Sequence, residues 1–231
     1  MAVKRSPPGG PLSAQRAYSR TRVGARSYTD LPAEWPAVAA SSSILATSSP
    51  SSITLKAARQ LAALARVPLD PQRVYEAIFQ TRLEEDYDSG RVTTSTFIER
   101  LRVDFDLNAS DAAIALAWND IYTPNTAMLE VIRAIDRRGA RLVLASNTNE
   151  LHYQWFRPLF ASTLDRFDDE VLSFRIGCRK PHPRFFEACV QACAPTPLTE
   201  CLYVDDRADF IDAARGLGIP GIVYRPGMER A

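Results

Sequence analysis

No apolar run in this 231-residue chain approaches the roughly 20 residues a helix needs to cross a bilayer, so no membrane partner is expected. Charge of one sign is missing too. Lys and Arg number 28 against 27 Asp and Glu, a net +1, which gives no basic surface for nucleic acid. Metal-cage spacing is also absent. The four cysteines, Cys178, Cys189, Cys193 and Cys201, form no Cys-x-x-Cys pair, and only two histidines accompany them. That argues against a zinc site and for thiols kept in a reducing cytoplasm, the compartment expected here. Acid is scarce at the start: the first acidic residue is Asp30, and it is the one aspartate among residues 1–60.

What is present is ordinary for a globular chain: 46% hydrophobic and 24% charged residues. The length suits one large domain, or one domain with a small insert. Residues 1–54 stand apart. They hold Pro-Pro-Gly-Gly, scattered arginines and "AASSSILATSSPSSIT", with no sustained periodicity. Disorder is one reading of this segment. An Arg- and Ser-rich, acid-poor targeting peptide is a second.

Residues 55–123 read as a small four-helix module. "KAARQLAALARV" stops before Pro68. "PQRVYEAIFQTRLEEDY" runs to Ser89-Gly90. "TFIERLRVDF" opens with a possible capping box of Thr96 and Glu99. "SDAAIALAWNDIY" ends near Pro124. From residue 124 to 231 apolar strands alternate with helices. "RLVLAS", "EVLSFR", "CLYVD" and "GIVY" read as strands, and the helices between them as crossovers of a parallel sheet. The fold class expected is α/β, a Rossmann-like parallel sheet with the helical module inserted ahead of its second strand-end motif.

Three strand ends carry chemistry. Ser146, Asn147 and Thr148 follow "RLVLA", and a hydroxyl with successive N–H groups at a helix start suits an anion, although helix capping explains such residues equally. Lys180 stands between Gly177 and Pro181, a stiffly held charge able to stabilise a phosphoryl group. Asp205 and Asp206 follow "LYV", and paired carboxylates suit Mg²⁺ or an acidic helix start. In this order, beyond strands of one sheet, the three segments spell a phosphate and magnesium site.

The motifs "LVLASNTNELH", "GCRKPHP" and "LYVDDRADFIDAARGLGIPGIVY" resemble the haloacid dehalogenase (HAD)-like hydrolase superfamily, in its phosphatase-like branch with a helical cap. Bacterial sugar-phosphate phosphatases, those acting on alpha-D-glucose-1-phosphate among them, are similar over residues 56–231. The resemblance implies that Ser146 bonds the transferring phosphoryl group, with Asn147 and Thr148 beside it. It implies that Lys180 balances charge and that Asp206, supported by Asp205, holds Mg²⁺. A small phosphorylated metabolite would be the substrate, and the module would close over it. One position departs from the family pattern: Phe210 stands where Asn or Asp is common, with Asp209 as the nearest replacement.

The family's first motif is an aspartate ending the first strand, which becomes an aspartyl phosphate. No such aspartate occurs, and its place is taken by Ile44 in "SSSILATSSPSSI". Codons for this run, read one base earlier, can spell apolar residues followed by Asp-x-Gly-Asn. A shifted reading frame is therefore a third account of the segment, and it expects no central strand from residues 1–54. The functional expectation is a Mg²⁺-dependent phosphatase impaired by the missing nucleophile. The alternatives are an inactive phosphate- or partner-binding protein of the same fold, and a 2-haloacid dehalogenase-like hydrolase.

Overall fold

The computed structural model describes residues 35–40 and 50–225. The first element is strand β1 (Ala37–Ala40). Five helices follow: α1 (Pro50–Ala62), α2 (Pro71–Phe79), α3 (Leu83–Asp88), α4 (Thr94–Asp104) and α5 (Asp111–Asn119). Helix α6 (Thr126–Asp136) leads into β2 (Arg141–Ser146), then α7 (Glu150–Leu159), α8 (Ala161–Leu164), β3 (Asp169–Leu172) and α9 (Ser173–Ile176). Helix α10 (Pro183–Ala192), β4 (Cys201–Asp205), α11 (Ala208–Gly216) and β5 (Gly221–Val223) complete the order.

All five strands are parallel, in the order β3-β2-β1-β4-β5. The chain builds outward from β1 in one direction through β2 and β3, then returns to its other side for β4 and β5. The crevice beyond the C-terminal ends at this reversal is where such sheets take ligands.

Strand β1 corrects the expectation that residues 1–54 supply no central strand. Val38 pairs with Leu142 and Leu202, and Ala40 with Leu144 and Val204. All four residues are buried. Val38 and Ala40 face the layer of Met128, Ile132 and Phe156. Ala37 and Ala39 face Phe185, Phe186 and Ile211, as the two-residue repeat of a strand requires. A four-residue strand of small side chains has no long apolar run to announce it. Its stability comes from ladders on both edges and helices on both faces. The expectation of no central strand is thereby corrected; the run read in a shifted frame begins at Ser41, beyond β1. Ile44 lies outside the described residues.

The helical module begins at Pro50 rather than 55 and has five helices among the described residues, not four. The second expected helix breaks at Thr81, whose hydroxyl donates to the Ala77 carbonyl and accepts from the Leu83 N–H. The start of α4 is also corrected. Thr93, not Thr96, is the cap, and its Oγ1 accepts from the Thr96 N–H at 3.2 Å. Strand β3 ends at Leu172, so Ser173 and Phe174 of "EVLSFR" belong to α9. The module has its own core of Leu61, Ile78, Phe97, Leu101, Ile114 and Trp118, each fully buried. Each such side chain contributes roughly 1.5–3 kcal/mol through burial. No described helix is long and apolar enough to cross a membrane.

Candidate functional site

The C-terminal ends of β2 and β4 flank β1, and Lys180 reaches in between them. Its ammonium donates to Asp205 Oδ2 at 2.7 Å and to the Ala145 carbonyl at 3.0 Å. Both side chains of the pair are 1% exposed. The rings of Phe185, Tyr203 and Phe210 surround the ammonium, with centroids 5.7, 5.8 and 5.1 Å away. A charge this dry is tolerable only when it is paired and hydrogen-bonded.

Asp205 is equally committed. Its Oδ2 also accepts from the Tyr203 hydroxyl at 2.8 Å, and its Oδ1 accepts from the Arg207 N–H at 3.0 Å. Burial would raise its carboxyl, but the Lys180 charge, aided by these hydrogen bonds, outweighs that and holds it below the usual carboxylate range. Burial beside the Asp205 charge pushes the Tyr203 phenol well up. Tyr203 faces Asp205 because the two are separated by one residue on the same face of β4. Sequence reasoning missed it, and that i, i+2 spacing was the available signal.

Ser146 ends β2 and is fully buried. The two residues after it do structural work. The Asn147 side-chain Oδ1 accepts from the Lys180 N–H at 2.7 Å, and its Nδ2 donates to the Lys180 carbonyl at 3.2 Å. Its amide thus grips the backbone of the lysine and aims it, a different task from the ligand contact expected of it. Thr148 is held by Ser173, whose Oγ accepts from the Thr148 N–H at 2.9 Å and donates to its carbonyl at 2.8 Å. Ser173 was hidden inside an expected strand. Asn149 then caps α7 through the His152 N–H.

Asp206 is half-buried at the same sheet edge. Asp209 does not join it, because its carboxylate pairs with the Arg207 guanidinium. Phe210 is buried against Lys180, so it supplies an apolar wall instead of a ligand oxygen. Among the described residues no three His, Cys, Asp or Glu side chains cluster as a metal cage. Asp205 is paired with Lys180. Asp206, the second of the adjacent carboxylates, follows β4 directly, and Mg²⁺ takes one or two carboxylates alongside water and phosphate oxygens.

A reversing parallel sheet, a dry lysine–aspartate pair at its reversal point and a helical module inserted after the first strand define a Rossmann-like α/β core with a ligand crevice. A family model for haloacid dehalogenase-like hydrolases matches residues 29–218, and the chain belongs to that family. Among curated proteins it is 24% identical to the sesquiterpene phosphatase astK of Aspergillus oryzae, over 63% of this chain and 74% of that protein. It is 35% identical to phosphatase MT3486 of Mycobacterium tuberculosis over 41% of this chain, an alignment spanning only 43% of that relative. Among solved structures, the HAD family enzyme bt-2542 of Bacteroides thetaiotaomicron shares the fold at a TM-score of 0.70. The two are 21% identical over 83% of this chain and 94% of that one. It has also been solved in complex with magnesium and inorganic phosphate.

Proposed function

We propose that this chain binds a small phosphorylated metabolite, with Mg²⁺, in a phosphatase-type site whose covalent turnover is lost or nearly lost. One observation carries the reading. The Lys180–Asp205 pair is built into the crevice beside β1, where a phosphoryl group would meet Lys180, Ser146 and the backbone N–H groups that follow it. Asn147 and Ser173 set that loop before any ligand arrives, so its donors need little reorganisation. Mg²⁺ would be held by Asp206, and when bound it would neutralise charge on the phosphate oxygens. The helical module would serve as the cap that excludes water and reads the rest of the ligand.

The missing part is a carboxylate. No Asp or Glu occurs between Glu34 and Asp70, so no carboxylate follows β1 before the module. Serine and threonine hydroxyls at 41–43 and 47–49 are poor nucleophiles without an adjacent base. Loss of a covalent nucleophile costs on the order of 10⁴-fold in rate, while positioning and charge persist and support binding.

The test pairs two measurements on the full chain. Calorimetry should detect inorganic phosphate binding that strengthens with Mg²⁺ and weakens in Asp206→Asn. Hydrolysis of an aryl phosphate and a panel of sugar phosphates should stay near background. Robust Mg²⁺-dependent turnover, abolished in a folded Lys180→Ala variant, would overturn the loss of catalysis. Absence of any phosphate binding would overturn the site.

A further inference from the structure

The face that the helical module turns to the core carries a part-buried charge imbalance that the proposed phosphate site does not use. Glu84 and Asp88 lie one turn apart on α3, so both carboxylates share one helix face. The Arg179 guanidinium, from the residue just before Lys180, enters between them. It lies 3.3 Å from Glu84 Oε2 and 3.6 Å from Asp88 Oδ2. Asp88 Oδ1 also accepts from Asn149 Nδ2 at 2.9 Å. One short helix is therefore tied to both loops of the site, the one carrying Lys180 and the one following Ser146.

The other contacts described across this junction pair no two charges. The Tyr87 hydroxyl accepts from the Leu151 N–H, and Thr94 donates to Glu150. The His152 Nε2 meets the Trp118 carbonyl at 3.2 Å. Glu85 and Tyr122 are the further titratable groups facing Glu84. Arg91 is occupied by Glu85 and Asp86. With both carboxylates ionised, one guanidinium faces two negative charges, Asp88 buried and Glu84 half-buried. A cleft of about 520 Å³, lined by Glu85, Ser89, Arg91, Arg179, Lys180 and His182 among others, opens beside Arg179.

We propose that Glu84, Asp88 and Arg179 form a proton-controlled latch that holds the helical module against the core when one carboxylate is protonated and loosens when both are charged. Burial, and then the Asp88 charge, push the Glu84 carboxyl up from 4.5 to about 7, against the pull of Arg179. The docked state then binds a proton that the undocked state gives up. Docking is strongest below pH 4.5 and weakens as pH rises to about 7. Across this window the docked-to-open ratio falls by up to tenfold per pH unit, about 80-fold between pH 4.5 and 7. The latch does not depend on phosphate binding or turnover, so its failure and that of the proposed function are separable.

The experiment measures the separation of module and core. Spin labels placed at the exposed positions Val103 on α4 and Leu217 beyond α11 report distance distributions between pH 5 and 8.5. The native cysteines are buried and stay unlabelled in the folded protein. The parent chain should show one short distance at pH 5 and a growing longer population toward pH 8.5. Glu84→Gln should hold the short distance throughout, because it keeps the hydrogen-bonding shape without the second charge. Asp88→Asn removes the same excess charge and carries the test if Glu84→Gln folds poorly. A parent distribution unchanged by pH would overturn the latch, as would an unaltered pH response in either variant.

Discussion

At the residue scale, the Lys180–Asp205 pair illustrates why a buried ion pair is best understood through its loss. Removing Lys180 leaves the Asp205 carboxylate dry and short of its cation. Breaking a buried pair in this way costs about 3–5 kcal/mol, whereas replacing both partners with apolar groups is often nearly neutral. Lys180→Met should therefore lower the urea midpoint sharply, and Lys180→Met with Asp205→Leu should recover most of the loss. Equal destabilisation by the single and double variants would show that the pair does not act as a unit. The same double variant should bind no phosphate despite its stability, because the charge proposed to meet the ligand is gone.

At the element scale, the helical module meets the core at one tight point. Gly90 follows α3 at φ +66°, and a Cβ there would stand 2.3 Å from the Phe174 carbonyl oxygen. Gly139, after α6, has φ +76° with nothing within 4 Å of the same added atom. Both positions disfavour a side chain, but only Gly90 adds a collision with backbone that cannot rotate away. Gly139→Ala should cost about 1 kcal/mol from conformation alone. Gly90→Ala should cost about 2–4 kcal/mol, as overpacking against backbone adds to the same strain. It should also raise hydrogen exchange at the Leu151 amide, which bonds to Tyr87 across the junction. Thermal unfolding of the two variants, compared directly, checks the difference.

At the scale of the whole molecule, pH acts on the junction from two directions. His152 stacks on Trp118 at 4.9 Å. Its Nε2 meets the Trp118 carbonyl and its Nδ1 meets Asn149 Nδ2, an arrangement suited to a neutral ring with the proton on Nε2. Burial pushes its pKa down from 6.5 to about 4. The unfolded chain therefore takes up a proton that the folded one refuses. Stability is full above pH 6.5 and falls as pH drops toward 4, by on the order of 2–3 kcal/mol. Glu84 acts with the opposite sign. In Glu84→Gln the rise of stability from pH 4 to 6.5 should stand alone, followed by a plateau, and His152→Leu should remove that rise. Denaturant titrations at half-unit pH steps test both. The balance shows what each level of description decides. Strand-end placement of Ser146 and the acidic pair was legible because apolar strands and crossover helices announce a parallel sheet through local pattern alone, whereas Lys180 lies eight residues past β3, beyond α9. The bounds of β2 and β4, and the helical nature of the insert, followed from the same local rules. Strand β1 was not legible, because "AVAA" becomes a strand only through neighbours on both edges that come from residues 141–144 and 201–204. Nor could the sequence assign Asp205 to Lys180, Asn147 to the lysine backbone, or Arg179 to the carboxylates of α3. Those are pairings between residues 25 to 95 positions apart, and only the tertiary fold brings such groups within hydrogen-bonding reach.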